Sequence, residues 1–473
     1  MTDLPQKTDL ADWSATELIH GYRSGTVSPV EATEASLDRI DRHNDRLNAF
    51  VLVDGDGALA AAKASEQRWR AGSPQGVIDG VPTSIKDLSL TIGWPTLRGS
   101  KSTNPKGPDG NGWTVDAPYV ARLREQGAVF LGKTTTPEYG WKGVTDSPLS
   151  GITRNPWDDT KTPGGSSGGA AVAAASGMGA LHQGSDGGGS IRMPCGYTGV
   201  YGIKPNFGRI PAYPASPFGT LSHAGPMTRT VADAALMLTV MAGPDYRDWY
   251  GLPDSDDDWW RACAMSIRGW RIGYSPDLGT AKVDPEVAKL VEDAVGLFTE
   301  LGAIVERVDP PFPDTARCFR MHWYAGAANL LATFNEEQIA VLDPGLREIA
   351  EEGKSYALLD YLAAVKEREA VGMAMNRFHE TYDLLLTPTL PQPAFEAGHE
   401  VPPGSGMERW PDWSPFSYPF NLTQQPAASI PCGLTEAGLP VGLQIVGGKY
   451  REDQVLAASA AFESLRPIPL PKL

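Results

Sequence analysis

The chain has 473 residues, 41% hydrophobic and 21% charged, a composition typical of a globular enzyme and unlike that of a disordered protein. Its 41 basic and 57 acidic side chains give a net charge of −16, which disfavours nucleic acid and anionic membrane surfaces as partners. There is no apolar run of about 18 residues, and the N-terminal stretch MTDLPQKTDLADW is not apolar. We therefore expect no membrane span, no secretory signal and a cytoplasmic location.

Two helices are predicted before residue 50, because each would begin with a capping box. Ser14 with Glu17 opens the first helix, and Ser28 with Glu31 opens the second. Apolar periodicity then predicts a helix at 56–71, a strand at 77–85, a helix at 115–126, a strand at 128–131, and helices at 168–180 and 229–242.

The second half alternates in the same way. The patterns predict a helix at 284–301, a strand at 304–308, a long helical region at 315–380, strands at 427–430 and 442–446, and a helix from about 452. Residues 387–420 are rich in proline and lack periodicity, which is typical of a functional loop. Since we find no repeat and no linker, the simplest prediction is one α/β domain with a mixed sheet.

Two glycine–serine clusters carry the chemical signal. The first is GGSSGG at 164–169, and the second is DGGGSIR at 186–192. Consecutive glycines leave several N–H groups free to point into one pocket, as the stabilisation of an oxyanion requires. A serine that directly follows such a run is a natural nucleophile, and Lys86 in the upstream segment PTSIKD is a candidate base.

Two other patterns in the sequence are misleading. The spacing Gly164-x-Ser166-x-Gly168 fits a nucleophile elbow, but the preceding residues predict a loop where an elbow needs a strand. The spacing from Gly127 to Thr134 fits a phosphate-binding loop, but its middle residues, AVFL, predict a buried strand. We therefore expect neither site.

The string PGGSSGGAAVAAASGMGALHQGSDGGGSIRMPCGYTGVYGIKP at 163–205 resembles the amidase-signature family of serine hydrolases. GVPTSIKD at 80–87 and QQPAASIPCGLTEAGLPVGLQIVG at 424–447 resemble segments of the same family. The resemblance runs from about residue 10 to 455. It implies one α/β domain over 1–473, with a central mixed, twisted sheet covered by helices on both faces. The core signature region would lie at 80–240, and variable substrate-pocket regions at about 310–345 and 387–425.

The resemblance also assigns roles by position. It implies Ser190 as nucleophile, Ser166 as relay after a cis peptide bond, and Lys86 as base. The oxyanion donors would be Gly187, Gly188 and Gly189 with the Ser190 amide, and the residues that brace this loop would be Asp186 and Arg192. The expected activity is hydrolysis of amide C–N bonds through an acyl-enzyme, without a cofactor or a metal.

A lysine can act as a base only when it is neutral. Its ordinary pKa is about 10.4, so burial would have to lower the pKa by roughly three units for a neutral amine near pH 7. This arrangement needs no histidine. We expect His182, which lies near the second glycine cluster, to be a buried and hydrogen-bonded histidine.

Aromatic residues outside the signature are candidates for the pocket wall, and we expect about a third of them to line it. They are Tyr139, Trp141, Phe319, Trp323, Tyr324, Trp410, Trp413, Phe416 and Tyr418. Two positions depart from the family pattern. Gly187 stands where members usually carry threonine or isoleucine, which would widen the space beside the loop. Gln424 stands where glycine is common, which would alter the far wall.

An aromatic wall favours aryl or alkyl amides as substrates, and the same chemistry opens carbamates and esters, so an aryl acylamidase or a urethanase fits. One alternative is a glutamine-hydrolysing amidotransferase subunit of the same family, which would depend on partner proteins. The other is a catalytically silent binding protein on this scaffold. Otherwise the expected partner is a small-molecule amide or carbamate, and the expected state is a monomer or a homodimer.

Overall fold

The computed structural model describes residues 9–473, so the first eight residues of the stretch examined for a secretory signal lie outside it. The strands are β1 (Phe50–Val53), β2 (Pro82–Lys86), β3 (Val129–Thr134), β4 (Asp146–Ser147), β5 (Gly151–Ile152), β6 (Leu181–Asp186), β7 (Tyr201–Lys204), β8 (His223–Thr228), β9 (Arg271–Tyr274), β10 (Ile304–Arg307), β11 (Leu384–Pro388), β12 (Ala427–Leu434) and β13 (Pro440–Gly447).

Helices separate most of these strands. They are α1 (Ala15–Ser24), α2 (Pro29–Leu47), α3 (Gly55–Arg70), α4 (Pro118–Glu125), α5 (Gly168–Ala175), α6 (Arg192–Thr198), α7 (Val231–Met241), α8 (Trp259–Ala262), α9 (Pro285–Glu300), α10 (Ala316–Leu331), α11 (Glu336–Ala340), α12 (Pro344–Lys354), α13 (Leu358–Phe378), α14 (Pro419–Leu422) and α15 (Glu452–Leu465). Short 3-10 turns lie at Leu10–Asp12, Glu138–Gly140, Gly219–Leu221 and Trp410–Trp413.

Eleven strands form one sheet in the order β1-β3-β2-β6-β8-β7-β12-β13-β11-β9-β10, while β4 and β5 pair separately. The sheet is mixed, as predicted. β2 runs parallel to β3 and β6, whereas β8 is antiparallel to β6 and β12 is antiparallel to β13. The parallel group matters for the site, because the carboxyl ends of its strands meet at one edge.

Helices cover both faces of this sheet, which confirms the predicted fold class. Within β3, Phe130 packs into a cluster with α4, α7, α9 and α15, whereas Val129 and Leu131 pack with α2, α3 and α5. Successive side chains of a strand point to opposite faces, so these two clusters lie on opposite sides of the sheet. Most of the segment between Gly127 and Gly132, whose spacing fits a phosphate-binding loop, is therefore a buried strand. This confirms the prediction that no phosphate-binding loop forms there.

Local capping fixes the N-terminal helices where the sequence predicts them. The Ser14 hydroxyl accepts a hydrogen bond from the Glu17 amide, while the Glu17 carboxylate accepts one from the Ser14 amide. Ser28 and Glu31 form the same reciprocal pair. The helices that begin at Val231, Pro285 and Glu452 also lie within a few residues of their predicted starts.

Some predicted elements were wrong in extent. The helix predicted at 168–180 ends at Ala175, and Gly177 follows in a left-handed conformation with a φ of +70°. The strand predicted from 77 begins only at Pro82, because Asp79 and Gly80 bend the preceding segment. Asp79 accepts hydrogen bonds from Arg68 and from the Gln75 amide, and Gly80 has a φ of +87°. The long helical region at 315–380 is four helices, with Asn335 and the Asp343–Pro344 pair capping new starts. Within residues 9–473, none of the helices combines the length and apolar character needed to cross a membrane.

Candidate active site

The sheet topology brings the lysine motif beside the second glycine cluster. Lys86 is the last residue of β2, which is hydrogen-bonded in parallel to β6. β6 ends at Asp186 and runs directly into the Gly187–Ser190 loop, after which α6 begins at Arg192. The first cluster approaches from the other side, because α5 starts immediately after the Ser166–Ser167 pair. The residues before this serine pair form a loop and not a strand, which confirms the prediction that there is no nucleophile elbow here.

Three serine hydroxyls surround the Lys86 amine, which is fully buried. The Lys86 Nζ lies 2.8 Å from Ser166 Oγ, 2.8 Å from Ser167 Oγ and 3.0 Å from Ser185 Oγ. The peptide bond between Gly165 and Ser166 is cis, as the resemblance implied. Ser167 and Ser185 were not among the predicted site residues, although each lies next to a predicted one in the sequence.

The hydrogen bonds of Ser167 restrict how Lys86 can use its lone pair. The Ser167 hydroxyl donates to the Ser185 carbonyl at 3.0 Å, so it can only accept from Lys86. A neutral amine has two N–H donors and one lone pair. Since the amine donates one N–H to Ser167, its other N–H and its lone pair are left to form hydrogen bonds with Ser166 and Ser185. The lone pair is therefore available to take a proton from a serine hydroxyl that faces the site.

The surroundings of Lys86 favour the neutral amine. Burial lowers the pKa of Lys86 well below its ordinary value, and the negative charge of Asp186 only partly opposes this effect. Among residues 9–473, no carboxylate forms an ion pair with the Lys86 amine. A lysine without a paired carboxylate in a buried site loses its proton more readily, which is what a base requires.

Ser190 and Ser166 face the same cavity, whose volume is about 600 Å³. No hydrogen bond between the described residues engages Ser190 Oγ or the backbone N–H groups of Gly187, Gly188 and Ser190. An unengaged hydroxyl can attack a bound carbonyl, and unengaged amides can stabilise the oxyanion that results. These three amides are the donors that the folded loop leaves available.

Gly189 differs from its predicted role as an oxyanion donor. Its amide donates to Asp186 Oδ1 at 2.8 Å, so it is already used inside the loop. Its φ of +122° lies in the left-handed region, and a Cβ atom there would come within 2.4 Å of Ser417 Oγ. Gly189 is thus needed for the shape of the loop, and the predicted oxyanion set is reduced to Gly187 and Gly188 with the Ser190 amide.

The buried pair of Asp186 and Arg192 holds this loop in place. Arg192 Nη2 donates to Asp186 Oδ1 at 2.9 Å, and both side chains are fully buried. Arg192 also donates to the Ser417 carbonyl and to Asn421 Oδ1. Burial alone would raise the pKa of Asp186, but Arg192 reverses this and holds the pKa well below its ordinary value. This geometry agrees with the predicted bracing role of both residues.

We expect Asp186→Asn to lower the free energy of unfolding by about 3–5 kcal/mol, because it leaves the Arg192 charge buried without a partner. Urea unfolding at pH 7 measures the change. The matched control is Asp159→Asn, which removes an exposed ion pair with Arg46 and should cost less than about 1 kcal/mol. Equal effects of the two substitutions would contradict the bracing role.

The walls of the cavity differ in part from the prediction. Of the nine candidate aromatics, Tyr139 and Trp323 line the cavity, about a fifth instead of the expected third. The other seven, Trp141 included, are buried in packing away from its surface. Gln424 is also absent from the wall, since its amide donates to the Thr220 carbonyl.

Most of the aromatic wall comes from segments that sequence reasoning missed. They contribute Phe207, Tyr213, Phe218, Trp249 and Tyr250. The segment with prolines at 211, 214 and 217 carries the same loop signal that we applied to 387–420 and could have been found by it. The predicted pocket region at 310–345 does contribute to the wall, whereas 387–425 contributes no lining residue and lies behind the glycine loop.

Gly187 does not widen the site as expected, because Trp323 fills the space beside it. A Cβ atom on residue 187 would lie 2.9 Å from Trp323 Cζ3. The indole cannot move easily, since its Nε1–H donates to the Trp141 carbonyl at 3.0 Å and its ring stacks on Phe218 at 3.6 Å. The absence of a side chain at residue 187 therefore lets the Trp323 indole pack beside the unengaged amides of the glycine loop.

We expect Gly187→Ala to destabilise the protein by about 1–3 kcal/mol and to lower its activity, because the added methyl group overlaps with Trp323. Thermal denaturation and hydrolysis of an anilide measure the two effects. The double variant Gly187→Ala/Trp323→Leu should regain part of both losses, with Trp323→Leu alone as the control. An additive double variant would contradict the proposed contact.

A buried lysine beside serine hydroxyls and unengaged backbone amides is the arrangement of a serine-dependent hydrolase. The chain belongs to the amidase family, whose sequence profile matches residues 31–456. An acylamidase of Rhodococcus erythropolis is 38% identical over 461 residues, which cover 96% of this chain and 95% of the relative. The protein is an amide-hydrolysing enzyme of this family.

Two further comparisons mark the range of the family. The crystal structure of a bacterial aryl acylamidase of the amidase signature family superposes with a TM-score of 0.89 and 34% identity, covering 96% of each chain. A glutamyl-tRNA(Gln) amidotransferase subunit of Myxococcus xanthus is 36% identical over 484 residues, covering 96% of this chain and 97% of the relative. The family thus includes relatives with different named activities.

Proposed function

We propose that Ser190, Ser166 and Lys86 hydrolyse the amide bond through an acyl-enzyme. Neutral Lys86 takes the proton of Ser166, which takes the proton of Ser190 as Ser190 Oγ attacks the carbonyl carbon. The carbonyl oxygen becomes an oxyanion, which accepts hydrogen bonds from the amides of Gly187, Gly188 and Ser190. When the C–N bond breaks, Ser166 gives a proton to the leaving nitrogen and recovers one from Lys86. Water then attacks the acyl group by the same route.

The observation that carries this proposal is the 2.8 Å contact between Lys86 Nζ and Ser166 Oγ, on a serine that shares its cavity with Ser190. Among the described residues no hydrogen bond joins Lys86 directly to Ser190, so the proposal assigns the link between them to Ser166. The lowered pKa of Lys86 and the unengaged Ser190 hydroxyl support it. Asp186 and Arg192 take no part in proton transfer and hold the loop in position.

We propose small aryl amides as the preferred substrates, with aryl carbamates and esters open to the same chemistry. Aromatic rings line much of the cavity, and Trp323 and Phe218 form a flat apolar wall beside Gly187. Such a wall suits a ring or an alkyl chain better than a polar head group. The acylamidase and aryl acylamidase relatives support this substrate class. In this proposal the domain spans 1–473, the signature core lies at 80–240, and region 310–345 shapes the pocket.

A hydrolysis screen tests the proposal. The substrates are 4-nitroanilides, primary amides, 4-nitrophenyl esters, aryl carbamates and L-glutamine, with Ser190 labelling by a fluorophosphonate as a separate readout of the nucleophile. We expect labelling of Ser190 and a higher kcat/KM for anilides than for primary amides or glutamine. Release of ammonia from glutamine alone would favour the amidotransferase activity, and a lack of both labelling and turnover would favour a binding protein.

A further inference from the structure

Arg98 is a cation in the wall of the catalytic cavity to which the relay gives no role. Its backbone is fixed from the lysine motif, because the Asp87 carboxylate accepts hydrogen bonds from the amides of Leu97 and Gly99. The Arg98 amide donates to the Asp87 carbonyl at 3.0 Å. The residue after the catalytic lysine thus holds Arg98 in place.

The backbone of Arg98 adopts a conformation that few residues other than glycine adopt. Its φ is +57°, and that of Tyr139 is +52°. The Tyr139 amide donates to the Arg98 carbonyl at 2.8 Å, and both residues line the cavity. Left-handed conformations of non-glycine residues cost free energy and are enriched at functional sites, so two adjoining instances mark this part of the wall as conformationally constrained.

Arg98 also lies on the Ser166 side of the cavity. Gly140 follows Tyr139, and a Cβ atom on Gly140 would be 3.3 Å from Ser166 Oγ. The hydroxyl of Tyr139 is itself held by Ser102 and Thr103. Arg98 is thus hydrogen-bonded to Tyr139, and the residue after Tyr139 approaches Ser166.

The charge of the nearby Asp87 carboxylate acts on the Arg98 guanidinium, but among residues 9–473 no carboxylate lies close enough to form an ion pair with it. Each Asp87 oxygen accepts a hydrogen bond from a backbone amide, and neither accepts one from the Arg98 side chain. The other arginine of the wall, Arg247, differs because it pairs with Asp245 at 2.7 Å. Burial lowers the pKa of Arg98, yet a guanidinium keeps its charge in proteins. A largely buried cation facing a cavity favours an anion as its partner.

We propose that Arg98 binds a carboxylate of the substrate, so that the preferred amides carry an acidic group on either their acyl or their amine portion. This inference rests on the proposed amide hydrolysis at the same site. Planar guanidinium and carboxylate groups form paired hydrogen bonds, which would orient the substrate while the scissile carbonyl approaches Ser190. The aromatic wall beside Gly187 then holds the apolar portion.

Two pairs of probes, which differ in the presence of one carboxylate, test this inference. For the amine portion, 4-acetamidobenzoate is compared with 4-nitroacetanilide; for the acyl portion, the 4-nitroanilide of succinate is compared with that of butyrate. We expect the wild-type enzyme to favour the carboxylate in at least one pair. Arg98→Met should lower that ratio of kcat/KM values about tenfold to a hundredfold, because it removes a charge-assisted hydrogen bond. Arg98→Lys should keep part of the ratio.

The control is Arg247→Met, which removes the paired arginine of the same wall and should leave the ratio unchanged. A ratio that does not respond to Arg98→Met in either pair would overturn the role of Arg98 while the amidase proposal stands. A wild-type enzyme that cleaves none of the four probes and is not labelled at Ser190 would refute the proposed function itself. Fluorophosphonate labelling of Ser190 in each variant shows that its site is assembled.

Discussion

Ser190→Ala is expected to lower kcat/KM for an anilide substrate by roughly 10⁴-fold or more. In the proposed mechanism the Ser190 hydroxyl forms the acyl-enzyme, and the remaining backbone amides and binding contacts cannot replace it. Progress curves with a 4-nitroanilide measure the loss, and mass spectrometry after incubation with an excess of substrate should detect an acyl adduct only on the wild-type protein.

The fold should tolerate this substitution, because no hydrogen bond between described residues ends on Ser190 Oγ. We expect the free energy of unfolding to change by less than about 1 kcal/mol. Ser222→Ala is a matched control, since Ser222 lines the same cavity outside the lysine cluster, and it should keep kcat/KM within about threefold. Turnover retained by purified Ser190→Ala would refute the assignment of the nucleophile.

Features encoded in a few neighbouring residues could be predicted from the sequence. The capping boxes at Ser14 and Ser28 depend on contacts three residues apart, and both formed as expected. That Lys86 and the two glycine clusters would meet was implied by the resemblance to the amidase-signature family and not by any local pattern. His182 was likewise predicted as a buried, bonded histidine, and it contacts the Ser84 hydroxyl at 2.8 Å.

Strand β6 shows why other parts could not be predicted. Its sequence, LHQGSD, shows no alternation of apolar and polar residues. Its polar side chains can be buried because other segments of the chain supply their hydrogen-bond partners. Gln183 accepts hydrogen bonds from the Lys86 amide and the Ser89 hydroxyl, and Ser185 contacts the Lys86 amine. Such partners lie about 100 residues away along the chain, so no local pattern records them.

The different roles of the three glycines in the second cluster could not be predicted from the sequence either. Gly187, Gly188 and Gly189 are identical in sequence terms, yet only Gly189 gives its amide to Asp186. The space that Gly187 leaves is occupied by Trp323, and Trp410 lies against Gly188. Both indoles come from segments more than 100 residues later, so the shape of the wall is a property of the packed core.

Lys86→Met should lower kcat/KM by about 10³-fold to 10⁴-fold, because methionine fills a similar volume but cannot accept a proton from Ser166. Lys133→Met is the matched control. Lys133 is a buried lysine on neighbouring β3 whose amine contacts the Ser89 carbonyl and Thr96, away from the serine cluster. Its loss should lower stability and leave kcat/KM within about tenfold. Equal losses of activity in the two variants would contradict a specific role for Lys86.

The pH dependence provides the second test of the same residue. The wild-type kcat/KM should rise with pH as Lys86 loses its proton, and this limb should be absent from the residual activity of Lys86→Met.

Since burial lowers the pKa of Lys86 in the folded state, the unfolded chain binds more protons between that pKa and about 10.4. The stability linked to Lys86 is therefore full above the unfolded pKa and is lost as the pH falls through the folded one. Urea unfolding across this window should show a steeper rise of stability with pH for the wild-type protein than for Lys86→Met. Lys133 and Lys204 are also buried with lowered pKa values, so the difference between the two slopes, and not the wild-type slope alone, isolates the amine that the relay requires.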